Sequence, residues 1–178
     1  MYLDSILTGE NVPHDLNVII EIPFKHNSIK YEIDKKSGAL FVDRFLTTSM
    51  FYPCNYGYLN KTLSLDGDPL DTLVIAPSLQ PKSIIRCRPV GILKMMDEAG
   101  YDFKIIAVPH NKLTTEYDSV LDVEDLSPLL INKLNYFFQH YKDLEKNKWT
   151  KIIGWGNSEE SKKEILISIE RFINSKNQ

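Results

Sequence analysis

Three observations predict an α+β fold, a small barrel of short strands followed by two helices. The first two-thirds of the 178 residues divides into brief β-branched or alternating stretches bounded by proline, glycine or acidic turns. The hydrophobic period then changes from about 2 to about 3.6 and stays helical towards the carboxyl end. The helices arrive only after the strands are finished, which argues against a doubly wound parallel sheet and for strands and helices in separate layers.

The first expected strand, 18–22, is apolar except for Glu21 and stops at Pro23. Residues 29–33 alternate Ile29, Tyr31 and Ile33 with Lys30 and Glu32, and 40–45 closes on Asp43, Arg44 and Phe45. Residues 72–76 follow an acidic turn and end before Pro77, whereas 84–95 and 103–108 are the longer apolar runs. Strands this short and this many suggest a small barrel. Ser127 then reads as an N-cap with Pro128 at the first helical position, and Leu130, Leu134, Phe137, Phe138, Tyr141 and Leu144 carry the period to about Lys146. A second helix begins at Asn157 or Ser158 and is expected to bury Ile165, Leu166, Ile169, Phe172 and Ile173.

Residues 1–178 fit one domain, and 43% hydrophobic content is ordinary for a globular chain. A formal charge of −3, a pI near 5.8 and the absence of a lysine-arginine run argue against nucleic-acid binding through a basic face. The segment Met1-Tyr2-Leu3-Asp4-Ser5 lacks a positive region followed by an apolar block, and no eighteen apolar residues run together. No membrane association is expected, and the chain is expected to be soluble and not secreted. Cys54 and Cys87 are too few for a disulfide framework and lack zinc spacing, so both are expected to be reduced core thiols in a cytoplasmic protein.

The densest chemistry lies in Asp66-Gly67-Asp68-Pro69-Leu70-Asp71, three carboxylates in six residues held in a turn. Their mutual repulsion makes a cation the natural partner, and oxygen-only ligation points to magnesium, manganese or calcium. An EF-hand loop is excluded, because Leu70, Asp71 and Pro77 stand where it needs an oxygen side chain, glycine and glutamate. Asp97, Asp102 and Lys104 follow about thirty residues on. Taken alone, the pairs Lys30/Glu32 and Asp102/Lys104 read more readily as solvated strand faces, Glu21 as an edge carboxylate, Arg44 as a surface ion pair, Tyr52 and Tyr56 as core aromatics, and Tyr141 and Lys142 as packing plus solvation.

Taken in order, Ile29-Lys30-Tyr31-Glu32, Phe41-Val42-Asp43-Arg44, Phe51-Tyr52-Pro53-Cys54-Asn55-Tyr56-Gly57, the loop from Asp66 to Asp71, Asp97-Glu98 and His140-Tyr141-Lys142 resemble the bacterial family I soluble inorganic pyrophosphatases over nearly the whole chain. The resemblance implies an OB-like five-stranded β-barrel with two main helices in the C-terminal third. It also implies magnesium-dependent hydrolysis of inorganic pyrophosphate to two orthophosphates by direct attack of a metal-activated water, an activity of phosphate metabolism.

By the same resemblance, Asp66, Asp71 and Asp102 hold a first magnesium, Asp71 helps to place a second through water, and Asp97 with Asp102 supports a third. Glu21 and Glu32 reach a substrate-borne magnesium mainly through its waters, so three or more ions serve turnover, with manganese as a substitute. Asp68 is the general base. Lys30, Arg44 and Tyr56 grip the electrophilic phosphate. Lys142 and Tyr141, with Arg44, hold the leaving one, while Lys104 and Tyr52 support the pocket and the base. The family is typically hexameric, which implies a homohexamer with His140 at a subunit contact sensitive to pH. Two positions depart from the pattern: Thr72 replaces a small aliphatic residue, and Tyr136 stands where some relatives carry histidine.

Seven carboxylates (Glu21, Glu32, Asp66, Asp68, Asp71, Asp97, Asp102) against four bases (Lys30, Arg44, Lys104, Lys142) give this set a formal charge of −3, which three divalent ions more than offset. The rival outside enzymology, an OB-type module binding nucleic acid, is disfavoured by the same acid-rich face.

Overall fold

The register of five strands closes a ring. The computed structural model describes residues 3–177. Its strands are β1 (Leu16–Ile22), β2 (Ile29–Ile33), β3 (Leu40–Phe45), β4 (Asn55–Leu59), β5 (Asp71–Val74), β6 (Ile84–Asp97), β7 (Gly100–Pro109) and β8 (Thr150–Gly156). One sheet runs β1-β4-β5-β7-β6-β8, and β1 also pairs with the start of β6, so β1, β4, β5, β7 and β6 form a five-stranded ring. The β5–β7 pairing is parallel and the others are antiparallel. The β2-β3 hairpin is a separate two-stranded sheet. The α+β expectation and the OB-like barrel hold.

Two helices follow, α1 (Pro128–His140) and α2 (Ser158–Lys176). Ser127 caps α1 by accepting the Leu130 N–H, and Asn157 caps α2 through a box with Glu160. The ring strands are buried on both faces. One apolar cluster joins Leu73, Leu93, Met95, Ile106 and Val108 to Leu134, Phe137 and Phe138 of α1. A second joins Val74, Ile92, Ile105 and Ala107 to Ile165 of α2. Successive residues of β7 thus alternate between two cores.

Four sequence expectations need correction. Strand β4 lies in the aromatic, proline-flanked segment and shows no alternation because all five of its residues are buried. Gly57 is required there, since a Cβ would stand 2.1 Å from the Ile19 carbonyl oxygen of β1. Strand β8 was hidden by its own glycines, Gly154 and Gly156. Helix α1 stops at His140, not near Lys146: the chain leaves the helical path in tight turns, and Leu144 is left 70% exposed. The inner face of α2 is formed by Ser161, Glu164, Ile165 and Ser168, while Leu166 and Ile173 point to solvent. Two fully buried serines let that helix approach β6 closely.

Candidate active site

The strand face that meets α1 turns from apolar to charged at one end of the barrel. Along β5, Leu73 gives way to Asp71; along β7, Ile106 gives way to Lys104 and then Asp102. Residues two apart share a face, so these groups continue the core surface and do not belong to a solvated one. This overturns the plain-exposure reading of Asp102 and Lys104. Lys104 is only 2% exposed.

Parallel pairing sets Asp71 opposite Lys104. The Lys104 ammonium lies 2.7 Å from Asp71 Oδ2 and 2.8 and 3.0 Å from the two Asp102 oxygens, and Tyr56 donates its hydroxyl to Asp71 Oδ2. Burial opposes the charge on Lys104, but Asp102 and Asp71 outweigh it and hold its pKa well above the ordinary lysine value. Burial raises the Asp102 carboxyl, with Lys104 pulling the other way. Burial also pushes the Tyr56 phenol well up, as it does Tyr52, whose ring packs 5.3 Å from Tyr56 and 4.7 Å from Phe137.

The acidic loop between β4 and β5 is pinned at both ends. Leu70 is fully buried with its N–H on Thr62 Oγ1 at 2.8 Å, and the Ser64 N–H reaches the Asp68 carbonyl at 2.7 Å. Gly67 sits at φ +92°, a conformation that strains any side chain, and so turns the chain between Asp66 and Asp68. Both carboxylates remain at the surface of the loop, with the Asp68 N–H donating to Asp66 Oδ1 at 3.1 Å. Burial and the neighbouring carboxylates raise Asp66 to about 6.

Four further segments complete the wall. At the β6–β7 turn, Asp97 accepts the Lys142 ammonium at 2.7 Å, and Glu98 lies 3.7 Å from it and 2.6 Å from Lys148. Burial works against the Glu98 charge, but Lys148 and Lys142 prevail and bring it to about 2. Tyr141 stacks on Phe137 at 5.2 Å. On the β2-β3 hairpin, Lys30 and Arg44 are register partners; Lys30 pairs with Asp43 at 3.0 Å and Arg44 with Glu145 at 3.1 Å. Glu21 of β1 is 5% exposed, accepts the Ile33 N–H at 2.8 Å and lies 3.3 Å from Lys35; burial lifts it to about 7 despite Lys35. Glu32 is exposed.

Every expected site residue borders one cleft of about 280 Å³. Lys35, Glu98 and Lys148 join them, so six bases face eight carboxylates, a formal balance of −2. Glu98 lies inside a quoted motif, but Lys35 and Lys148 carry no sequence signal, because only the turns bring them to the cleft. A missed supporting residue is Asn55, wholly buried, whose carbonyl accepts from Phe24 and Leu79 and whose amide reaches Ala76 and Pro77. That side chain ties the start of β4 to the segments after β1 and β5.

Among the described residues, no three His, Cys, Asp or Glu side chains stand together in an arrangement that could hold a metal ion as they are. The geometry gives a reason: Lys104 and Lys142 already occupy Asp71, Asp102 and Asp97. The donor set still fits hard divalent cations, being all oxygen, and the eight carboxylates of the cleft outnumber its six bases. A cleft of this volume lies just below the range of about 300–1,000 Å³ typical of drug-sized ligands, so it has room for a small ligand only, and its lining is mostly charged.

Comparisons with known proteins point to one family. Residues 18–173 match the family model described as inorganic pyrophosphatase. The inorganic pyrophosphatase of Escherichia coli K12 is 62% identical over 172 residues, 96% of this chain and 98% of that protein, and the Vibrio vulnificus one is 57% identical over the same coverage. The solved structure of an inorganic pyrophosphatase from Coxiella burnetii superposes with a TM-score of 0.91 at 50% identity, covering 94% of this chain and 99% of that one. A structure from Anaplasma phagocytophilum gives 0.93 at 41% identity, with coverage of 94% and 99%.

Proposed function

The chain belongs to the inorganic pyrophosphatase family, and from that premise we propose that it hydrolyses inorganic pyrophosphate to two orthophosphates, with magnesium as cofactor and Asp68 as general base. As a member at this identity it is a hydrolase of the diphosphatase type. One observation carries the finer reading: a single small cleft sets the outward carboxylates Asp66 and Asp68 against Lys30, Arg44, Tyr141 and Lys142, with Asp71, Lys104 and Asp102 at its floor.

Asp66, Asp71, Asp97 and Asp102 would hold magnesium, with Glu21 and Glu32 on the substrate side. Bound there, magnesium supplies Lewis-acid charge against the diphosphate oxygens and lowers the pKa of an attacking water. Asp68 stands at the loop surface, where its carboxylate accepts the proton of that water. Lys30, Arg44 and Tyr56 hold the phosphate under attack; Arg44, Tyr141 and Lys142 neutralise charge on the departing one. Lys104 keeps Asp71 and Asp102 oriented, and Tyr52 fixes the Tyr56 ring from behind. No phosphorylated side chain is needed.

The same reading takes residues 1–178 as one catalytic domain and a cytoplasmic setting, supported by Cys54 and Cys87, both free and buried. Among the described residues, no helix is long and apolar enough to cross a membrane. Assembly as a homohexamer is supported by exposed apolar side chains on α1 such as Leu129 and Tyr136, the latter with its ring 4.7 Å from that of His140. Phosphate release from pyrophosphate across a magnesium titration, with a chelated control, tests the function. Rapid metal-dependent release is expected, and a folded, metal-supplied protein that releases none overturns it.

A further inference from the structure

The two cations of the β2-β3 hairpin are held in different ways. Lys30 is tied to Asp43 of its own hairpin at 3.0 Å, whereas that carboxylate is 3.8 Å from Arg44 Nε, too far for a hydrogen bond. Arg44 is held from elsewhere in the fold. Its Nη1 donates at 3.1 Å to Oε2 of Glu145, a residue 101 positions away on the turn that follows α1. Both side chains are largely shielded, at 26% and 13% exposure, so the pair is less screened than an ordinary surface ion pair.

We infer that Glu145 is a positioning residue for the phosphate clamp, setting where the Arg44 guanidinium points. The contact is single-pronged: Glu145 Oε1 and Arg44 Nε are both buried without a hydrogen-bond partner. A fork-to-fork pair would tie down two of the guanidinium N–H groups, whereas this one aims the group and leaves most of its donors for an oxyanion. The turn that carries Glu145 also carries Lys142, whose carbonyl accepts the Glu145 N–H at 2.9 Å. Lys142 is anchored in turn on Asp97 at 2.7 Å. One turn therefore fixes the cation at one end of the cleft and steers the cation at the other, linking the β6–β7 turn to a hairpin that lies outside the main sheet.

The inference rests on the pyrophosphatase reading for what Arg44 grips, and its test separates the two. Steady-state kinetics on pyrophosphate at saturating magnesium would compare the parent with Glu145→Ala, Glu145→Gln, Arg44→Ala and the double variant Glu145→Ala/Arg44→Ala. Calorimetric titration with inorganic phosphate would run beside it. Glu145→Ala is expected to raise KM about 3- to 10-fold and weaken phosphate binding by a similar factor, Glu145→Gln to lose less, and Glu145→Ala to add less than about twofold once Arg44 is gone. Unchanged KM and phosphate affinity, or equal effects of Glu145→Ala with and without Arg44, would overturn it. A parent that releases no phosphate while Glu145→Ala still weakens phosphate binding through Arg44 would sink the pyrophosphatase reading and keep the positioning role.

Discussion

Lys104 places its ammonium 2.7 Å from Asp71 across the parallel pairing of β5 and β7, and the same nitrogen serves Asp102. Removing it leaves two mostly buried carboxylates facing each other. Lys104→Met, close in shape, is expected to cost about 3–5 kcal/mol in chelator. On the proposed reading magnesium would bind the folded state preferentially and supply the missing positive charge, so it should restore part of that loss. Thermal melts of both proteins with and without magnesium decide this; equal stability in chelator would show that Lys104 does not compensate these acids.

Glu21 gives the metal-free protein a pH dependence opposite to the usual carboxylate case. Burial raises it to about 7 in the folded chain from the ordinary glutamate value of 4.5. The folded state therefore keeps a proton that the unfolded chain has released, so this contribution is complete below about pH 4.5 and is lost as pH rises towards 7. The shift corresponds to about 3 kcal/mol. Asp66 acts in the same direction but is solvent-exposed, so its share is smaller. Denaturant midpoints in chelator at pH 5, 6 and 7.5 should fall for the parent and stay nearly level for Glu21→Gln. A parent midpoint that is flat or rising across that window would contradict the burial argument.

Lys104 and Asp102 show which parts of the fold are legible in the sequence. Strand 29–33 and strand 40–45 were visible from alternation, and the acidic loop from its composition, because those signals are local. That Lys104 and Asp102 extend a core face was not visible: alternation gives a shared face but not which neighbour covers it, and β4, which completes the ring beside Asp71, shows no period because it is buried on both sides. Lys35, Lys148 and Glu145 were invisible for a related reason. Each reaches the site or Arg44 through a turn whose path follows from long-range pairs, as when Lys142 leaves the helical course to meet Asp97.

Asp68 and Asp71 lie three residues apart and should fail differently. Asp68 makes no side-chain bond to the floor of the site, so Asp68→Asn should leave fold and magnesium dependence intact while kcat drops about 10²- to 10⁴-fold, the range of general-base catalysis. Asp71 accepts from both Tyr56 and Lys104, so Asp71→Ala should shift the magnesium requirement upward as well as slow turnover. Near-normal turnover of Asp68→Asn at neutral pH would reject its role as base, and an unmoved magnesium midpoint in Asp71→Ala would reject its role as ligand.

Thr72 sits directly behind Asp71 in a place where its hydroxyl has nothing to do. The residue is fully buried, pairs with Gly57 on one side and Ile105 on the other, and its Oγ1 has no protein partner. A buried hydroxyl left unbonded carries its desolvation cost without return, and valine offers the same branched shape with a methyl group in that position. Thr72→Val is therefore expected to stabilise the chain by about 1 kcal/mol, raising Tm by about 2–4 °C. Asp71 beside it keeps its backbone pairing, so kcat should be unchanged. A lower Tm would mean that the hydroxyl is satisfied in solution by a bridging water.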